Sequence, residues 1–339
     1  MLKMKRILYV GNNLKNNKSN ISGIQILGAL LEKEGYIMHY TSSKTNKIIR
    51  LLDMVRSCVT LSNNIDIVLI DTYSTQNFYF ALIISQLCSL LKIKYIPILH
   101  GGNLPSRLKN SPKLSALIFK KAVHNISPSA YLKQEFELFG YDNIVHIPNT
   151  IQINDYPFKS KTYASPKLLW VRSFSKIYNP KLAVHVFNEV KKHYPEAMLC
   201  MVGPDADGTL KDVKQLADDL NLEIEFTGKL TKKEWISVSE NYNIFINTTN
   251  LDNTPVSVIE AMALGLPVVS TNVGGMPFLI SDTIDGLLVE PQDARAMVDK
   301  ILELISDVQL REKLIANARA KSENFAWTAV KPKWDSILS

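Results

Sequence analysis

The chain has 339 residues, 46% hydrophobic and 21% charged. That composition excludes a disordered polymer, and the length exceeds one ordinary core, so two domains of about 150 residues are expected. The net charge of +7 is uneven: residues 1–158 hold 18 Lys or Arg against 9 Asp or Glu, and residues 159–339 hold 21 against 23, which points to an acidic partner for the first half.

The first residues, Met-Leu-Lys-Met-Lys-Arg, lead straight into an apolar strand at Ile7–Val10 with no targeting segment between them. Together with three scattered cysteines, Cys58, Cys88 and Cys200, this predicts a reduced, cytoplasmic protein. Next comes a glycine-containing loop, Gly11-Asn-Asn…Ser22-Gly23-Ile24, and a helix at Gly23–Lys33. The loop lacks the three spaced glycines of a dinucleotide-binding turn. A strand follows at Ile65–Ile70. The apolar stretch Ala81–Leu91 is about half the length needed to cross a bilayer and reads as a buried helix.

A third strand, Tyr95–Leu99, ends at His100-Gly101-Gly102, where two glycines allow close backbone approach. Arg107, Lys109, Lys113, Lys120 and Lys121 then alternate with Leu, Ile and Phe. The segment Arg107–Lys121 is either a solvated helix face or a peripheral contact with anionic lipid. Short strands at Asn125–Ser127 and Val145–Ile147 close the first half. The Asn-, Pro-, Ser- and Tyr-rich stretch Pro148–Ser165 reads as a linker.

The second half repeats the alternation, with strands at Lys167–Val171, Ala197–Val202, Glu223–Phe226, Ile244–Asn247 and Pro267–Ser270. Helical patterns lie at Lys181–His193, Leu210–Asn221 and Ala294–Ile305. Strand–helix alternation in both halves predicts an α/β fold of two doubly wound parallel sheets. The expected domains are 1–158 and 159–325, with an amphipathic last helix at 326–339 packing back across the junction. Ligands are expected beyond the carboxyl ends of the strands.

The chemistry concentrates around one carboxylate. Between Asp252 and Asp282 the chain carries a single ionisable side chain, Glu260, inside an apolar helix pattern. A buried charge is costly unless it is hydrogen-bonded or paired, so Glu260 is expected to face a ligand. Thr254 reads as the cap of this helix and Pro255 as its first residue, with Gly265 ending it. The loop Asn247–Asn253 then presents free backbone N–H groups and a positive helix end, which suits a phosphate. Asp205-Ala-Asp207 has the Asp-x-Asp form but sits among Gly and Pro, and reads as turn chemistry.

The stretch Asp252–Pro291, with Glu260-Ala-Met-Ala-Leu-Gly-Leu-Pro-Val-Val, Gly274-Gly275 and Asp285-Gly-Leu-Leu-Val, resembles the signature of retaining nucleotide-sugar glycosyltransferases of family 4. The resemblance is specific over these forty or so residues and looser elsewhere. It implies the GT-B fold, two Rossmann-like domains facing across a cleft. The family's hallmark is two glutamates eight positions apart. Glu260 matches the second, and Asp252, one methylene shorter, stands for the first. Phe278 stands where the family often has another glutamate, and no role is assigned to it. In Leu168-Leu-Trp-Val-Arg-Ser-Phe-Ser-Lys176, Arg172 and Lys176 resemble the pair that grips the donor diphosphate, with Lys181 as a substitute for Lys176. His100 resembles the histidine of the acceptor side, and Gly23 the glycine that lets backbone approach the transferred sugar.

The resemblance implies transfer of a sugar, with retention, from a nucleoside-diphosphate sugar to an acceptor hydroxyl. His100, Arg172, Lys176, Asp252 and Glu260 would be catalytic. Gly23, Arg172, Lys176, Asp252, Asn253, Thr254, Pro255, Val256 and Glu260 would bind substrate. No metal or other cofactor is expected, and no nucleic acid partner. The acceptor would be a glycan or lipid-linked, as in bacterial surface polysaccharide or glycolipid assembly, with the protein cytoplasmic or peripheral on the inner face of the membrane. The rival readings are a nucleotide-sugar epimerase of the same two-lobed architecture and a non-catalytic sugar-binding protein or partner subunit.

Overall fold

The computed structural model describes residues 5–14 and 23–338. Residues 15–22 of the first loop, including Ser22, lie outside that set. Two compact units divide the chain: one runs through Pro148 and takes in the chain from Lys333, and the other is Asn149–Pro332. The division falls at Pro148 rather than at 158 because residues 149–158 are not a bare linker. Ile151 and Tyr156, each 4% exposed, belong to the apolar cluster of Leu169, Phe245 and Ile259. The Ile151 amide also donates to the Phe325 carbonyl at 2.9 Å. At the other end, the helix Trp327–Leu338 contains Pro332, where the second division falls.

The first unit holds β1 (Arg6–Val10), β2 (Ile37–Thr41), β3 (Ile67–Tyr73), β4 (Tyr95–His100), β5 (Asn125–Ser127) and β6 (Ile144–His146). They form one sheet in the order β2-β1-β3-β4-β5-β6, every neighbouring pair parallel. The second unit holds β7 (Lys167–Val171), β8 (Met198–Val202), β9 (Glu225–Gly228), β10 (Ile244–Asn247), β11 (Val268–Thr271) and β12 (Leu287–Val289). Their order is β12-β11-β10-β7-β8-β9, again parallel throughout. The doubly wound α/β architecture is therefore present in both halves.

Side chains show why these strands are buried on both faces. Leu168, Trp170, Leu199, Met201, Ile244 and Ile246 enter one apolar cluster. Their neighbours Leu169, Cys200, Val202 and Phe245 enter the other. Alternate residues of one strand feed opposite layers, the two-residue period of a pleated backbone. Both strands absent from the sequence reading, β2 and β12, are edge strands. β2 carries His39 and a burial pattern of mostly half-exposed residues, so it lacks the apolar run that marks a central strand. The stretch Ala81–Leu91 lies largely within the helix Asn77–Leu90, with Phe78, Ala81, Ile84 and Cys88 buried.

In each sheet the strand order reverses beside the first strand: at β1/β3 in the first unit and β7/β10 in the second. The connections leave in opposite directions there and open a crevice at the carboxyl ends, where doubly wound sheets bind ligands.

Candidate functional site

At the second unit's reversal point, β7 runs into Arg172, whose amide donates to the Val202 carbonyl at 3.0 Å. β10 runs into a loop stitched to the turn after Arg172. Thr248 Oγ1 donates to the Tyr178 carbonyl at 2.9 Å and Thr249 Oγ1 to that of Ile177 at 3.3 Å. The Asn250 amide adds a bond to Ile177 at 2.8 Å. This lacing delivers Asp252 to Arg172, and the two side chains, each 13% exposed, form an ion pair. The guanidinium also lies 4.2 Å from the Tyr178 ring centroid. Burial lowers the Arg172 pKa, with Tyr178 opposing the shift, and a guanidinium remains cationic regardless.

The Gly274-Gly275 pair explains how the loop is held from behind. The Gly275 amide donates to the Asp252 carbonyl at 3.0 Å. A β-carbon on Gly275 would overlap the Asn253 carbonyl, and one on Gly274, whose φ is +53°, would overlap that of Asp252. Only glycine admits this approach.

The helix Val256–Ala263 opens at Val256, with Pro255 as its cap residue and no side-chain cap bond. The expected Thr254 cap is therefore one residue early. Pro255 has extended geometry with ψ at 120°, so it precedes the helix, and its carbonyl accepts from Val258 at 3.1 Å. Thr254 instead offers its carbonyl to Asn149 Nδ2 at 3.5 Å. Asn253, 5% exposed, receives its place from its amide, which donates to Asp252 Oδ1 at 2.9 Å. In the helix's first turn the Ser257 hydroxyl is buried and has no partner among the described residues. Gly265 ends the helix as expected, at φ +77°.

Glu260 is 3% exposed and is not isolated. Tyr156 donates its hydroxyl to Oε1 at 2.7 Å, and the Lys232 ammonium pairs with the same oxygen. Burial pushes the Glu260 carboxyl above its usual range, a shift that Lys232 and then Tyr156 oppose. Lys232 begins the helix Lys232–Ser239, which a Thr231/Glu234 capping box starts. Arg319 pins Tyr156 through its carbonyl at 3.0 Å.

Lys176 is exposed, and its amide donates to Asp207 Oδ2 at 3.0 Å. Lys181 pairs at the surface with Asp212 at 3.5 Å. Asp205 accepts from the Gly208 amide at 2.9 Å and Asp207 from Ser175 Oγ at 3.0 Å, so both carboxylates serve the turn. The Thr209 hydroxyl first, and then the Lys176 amide and the Ser175 hydroxyl, hold the Asp207 pKa down at about 2.

In the first unit, the carboxyl ends of β1, β3 and β4 gather a second cluster. His100 Nε2 lies 2.7 Å from Asp71 Oδ1, and the Tyr9 hydroxyl donates to the same oxygen at 3.0 Å. Tyr73 stacks on His100 at 4.7 Å between centroids. A β-carbon on Gly23 would sit 3.1 Å from His100 Cε1, so Gly23 and His100 adjoin. In the stretch Arg107–Lys121, Arg107 donates to the Ser74 carbonyl at 2.7 Å and lies over the Phe78 ring at 5.0 Å. It is a packing residue, whereas Lys109, Lys113, Lys120 and Lys121 are exposed.

Arg172, Asp252 and Glu260 thus fall in one unit and His100 with Gly23 in the other. Asp71, Tyr156 and Lys232 were not singled out from the sequence. Asp71 carried a signal, an acid closing the buried run Ile67–Ile70, and Lys232 follows a strand end.

The model of the family described as glycosyl transferases group 1 matches residues 152–321. The chain belongs to this family. Among curated relatives, the sulfoquinovosyl transferase SQD2 of Arabidopsis thaliana is 29% identical over 44% of this chain and 29% of its own length. The uncharacterized glycosyltransferase MJ1178 of Methanocaldococcus jannaschii is 26% identical over 70% of this chain and 66% of its own. The chain therefore matches less than two thirds of either relative. Among solved structures, HepE of Anabaena in complex with UDP and glucose superposes with a TM-score of 0.78 at 17% identity, covering 98% of this chain and 99% of that one. The fold of this glycosyltransferase-family chain is accordingly the GT-B type.

Proposed function

We propose that this group 1 family member transfers a sugar from a nucleoside-diphosphate sugar to an acceptor hydroxyl, with retention at the anomeric carbon, as the family 4 resemblance implies. The observation that carries the reading is the convergence of Arg172 and Asp252 at the β7/β10 reversal point, beside the helix that bears Glu260. A guanidinium has five N–H donors, so Arg172 can keep Asp252 and still present a fork to diphosphate oxygens. The start of the helix Val256–Ala263 adds backbone donors, and Ser257 Oγ supplies a buried hydroxyl in want of a partner.

Glu260 receives both internal donors on Oε1, which leaves Oε2 to accept from donor hydroxyls. Asp252 orients hydroxyls of the transferred sugar. In the transfer step the glycosidic C–O bond to the diphosphate breaks, and the acceptor oxygen attacks from the same face through an oxocarbenium-like state. A donor phosphate oxygen takes the acceptor's proton. Arg172 and the exposed Lys176 ammonium stabilise the charge growing on the leaving diphosphate. The complexes of HepE with UDP and with UDP-glucose make a uridine donor the first to test.

For the acceptor we infer a glycan or a lipid-linked one in bacterial surface polysaccharide or glycolipid assembly, reached at a membrane's inner face. Residues 72–134 contain eight Lys or Arg and no Asp or Glu, and Lys109, Lys113, Lys120 and Lys121 are exposed beside Leu117. Such a basic surface suits anionic lipid. No helix among the described residues is long and apolar enough to cross a membrane.

Thermal-shift titration with UDP, GDP, ADP and their sugars tests the donor. A ligand at 100 times its Kd stabilises the folded state by about 2.7 kcal/mol. Absence of a shift with every nucleotide, together with no release of nucleotide from any sugar donor, would defeat the reading. Product analysis without acceptor separates transfer from epimerisation.

A further inference from the structure

The polar cluster of the first unit carries more than the sugar-transfer reading assigns to it. Tyr9, Asp71 and His100 lie far apart in sequence and meet because β1, β3 and β4 are consecutive in the sheet. The register places Tyr73 opposite His100, so the strand that supplies Asp71 also supplies the ring stacked on the histidine. Asp71 is 6% exposed. A carboxylate only accepts, so the 2.7 Å contact with His100 Nε2 assigns the ring's proton to that nitrogen. The Tyr9 hydroxyl approaches the same Oδ1 at 3.0 Å. Burial, and next the Asp71 charge, push the Tyr9 hydroxyl well above its ordinary value, so it remains a donor.

Two glycines make room for this arrangement. A β-carbon on Gly11 would run into the Asp71 carboxylate, and one on Gly23 would press on His100 Cε1 at 3.1 Å. Meanwhile Asp71 Oδ2 is buried with no partner among the described residues. Keeping a half-satisfied carboxyl group buried at a strand end is expensive. A purely structural contact with His100 would be met more cheaply by a neutral amide.

We propose that Asp71 is a positioning residue that holds His100 as its Nε2–H tautomer, so that Nδ1 accepts a hydrogen bond from a substrate hydroxyl. This rests on the sugar-transfer reading. The ring is fixed twice, by Asp71 at one nitrogen and by the Tyr73 ring against its face, which leaves one unprotonated nitrogen in a defined place. The hydroxyl belongs either to the transferred sugar or to the acceptor, and the two sources give different kinetics.

The test uses the full chain with 15N-labelled histidine, the His100 signals being assigned by their loss in His100→Gln. Recorded where the ring is neutral, the unmutated protein shows Nε2 protonated and Nδ1 bare, and Asp71→Asn moves the ring toward Nδ1–H. Asp71→Asn also lowers kcat/KM on the order of 10- to 100-fold, yet changes it less than threefold in a His100→Gln background. If nucleotide release without acceptor falls along with transfer, the hydroxyl is on the transferred sugar; if transfer alone falls, it is on the acceptor. An Nδ1–H ring in the unmutated protein overturns the proposal, and that spectrum needs neither a variant nor activity. An equal cost of Asp71→Asn with and without His100 overturns it too. Failure of the sugar-transfer reading shows separately, as an unmutated protein that turns over no nucleotide sugar.

Discussion

The guanidinium of Arg172 is paired with the carboxylate of Asp252, the residue that stands where the family's first hallmark glutamate is expected. The cation expected to grip the donor diphosphate and the anion expected to orient its sugar are therefore one electrostatic unit. Removing either charge leaves the other without its partner.

Arg172→Ala should lower kcat/KM by about 2–4 kcal/mol, the scale of one strong transition-state electrostatic contact. Arg172→Lys should recover part of that loss, since an ammonium keeps the charge without the fork. A fall of less than threefold in Arg172→Ala would remove this residue from the site.

Asp252→Asn should destabilise the fold by roughly 1–3 kcal/mol, because it leaves the partly buried Arg172 without its counter-charge. Asp252→Glu should keep the pair and change selectivity among donor sugars more than stability. Urea melts and donor kinetics on both variants check this; a stability loss in Asp252→Glu as large as in Asp252→Asn would contradict it.

Glu260 gives a signed pH dependence. Its folded-state pKa is raised by burial, so the folded state holds its proton to higher pH than the unfolded chain does. That contribution to stability is complete below the ordinary glutamate value and is lost as pH rises through the raised one. Glu260→Gln should therefore gain stability relative to the unmutated protein as pH rises through that window, and the gain should level off above it. Lys232→Ala should push the window upward by removing the main opposing charge. Thermal melts across pH 4–8, an interval about the ordinary glutamate value and above, read both; a flat difference would show that burial does not govern Glu260. Glu260→Gln should also weaken nucleotide-induced stabilisation while leaving the protein folded.

Gly275→Ala should cost about 1–3 kcal/mol by overpacking against the Asn253 backbone. It should also reduce the thermal shift produced by a bound nucleotide, since the same contact holds Asp252 toward Arg172. A variant with unaltered nucleotide stabilisation would uncouple the glycine pair from the donor loop.

Replacing Lys113, Lys120 and Lys121 by Ser should weaken sedimentation with anionic vesicles by roughly fivefold per charge at low salt, with donor affinity unchanged. Equal binding by the triple variant would place the lipid contact elsewhere or remove it.

Ten of the twelve strands were legible in the chain: the eight interior ones, whose two covered faces make them short apolar runs, and the edge strands β6 and β9. β2 was not, since Ile37–Thr41 carries half-exposed side chains, and neither was β12, which is only three residues long. Glu260 was legible for the same reason in reverse: one charge in a long apolar stretch contradicts its surroundings. Thr254 is not the cap, because the preference for Pro at the first helical position is only a local tendency, and the extended Pro255 shifts the helix by one residue.

What the sequence determined by itself was local. It specified two α/β halves, the loop from Asn247 into an apolar helix, and the residue types suited to a diphosphate at strand ends. Tertiary structure decided which charges meet. Asp252 reaches Arg172 across the β10/β7 neighbourhood, Tyr156 and Lys232 converge on one oxygen of Glu260, and Asp71 reaches His100 between adjacent strands. Periodicity and caps act within a few residues, whereas an ion pair depends on sheet order and strand register. These bring together side chains as far apart as Tyr156 and Glu260 without leaving a mark in the sequence between them.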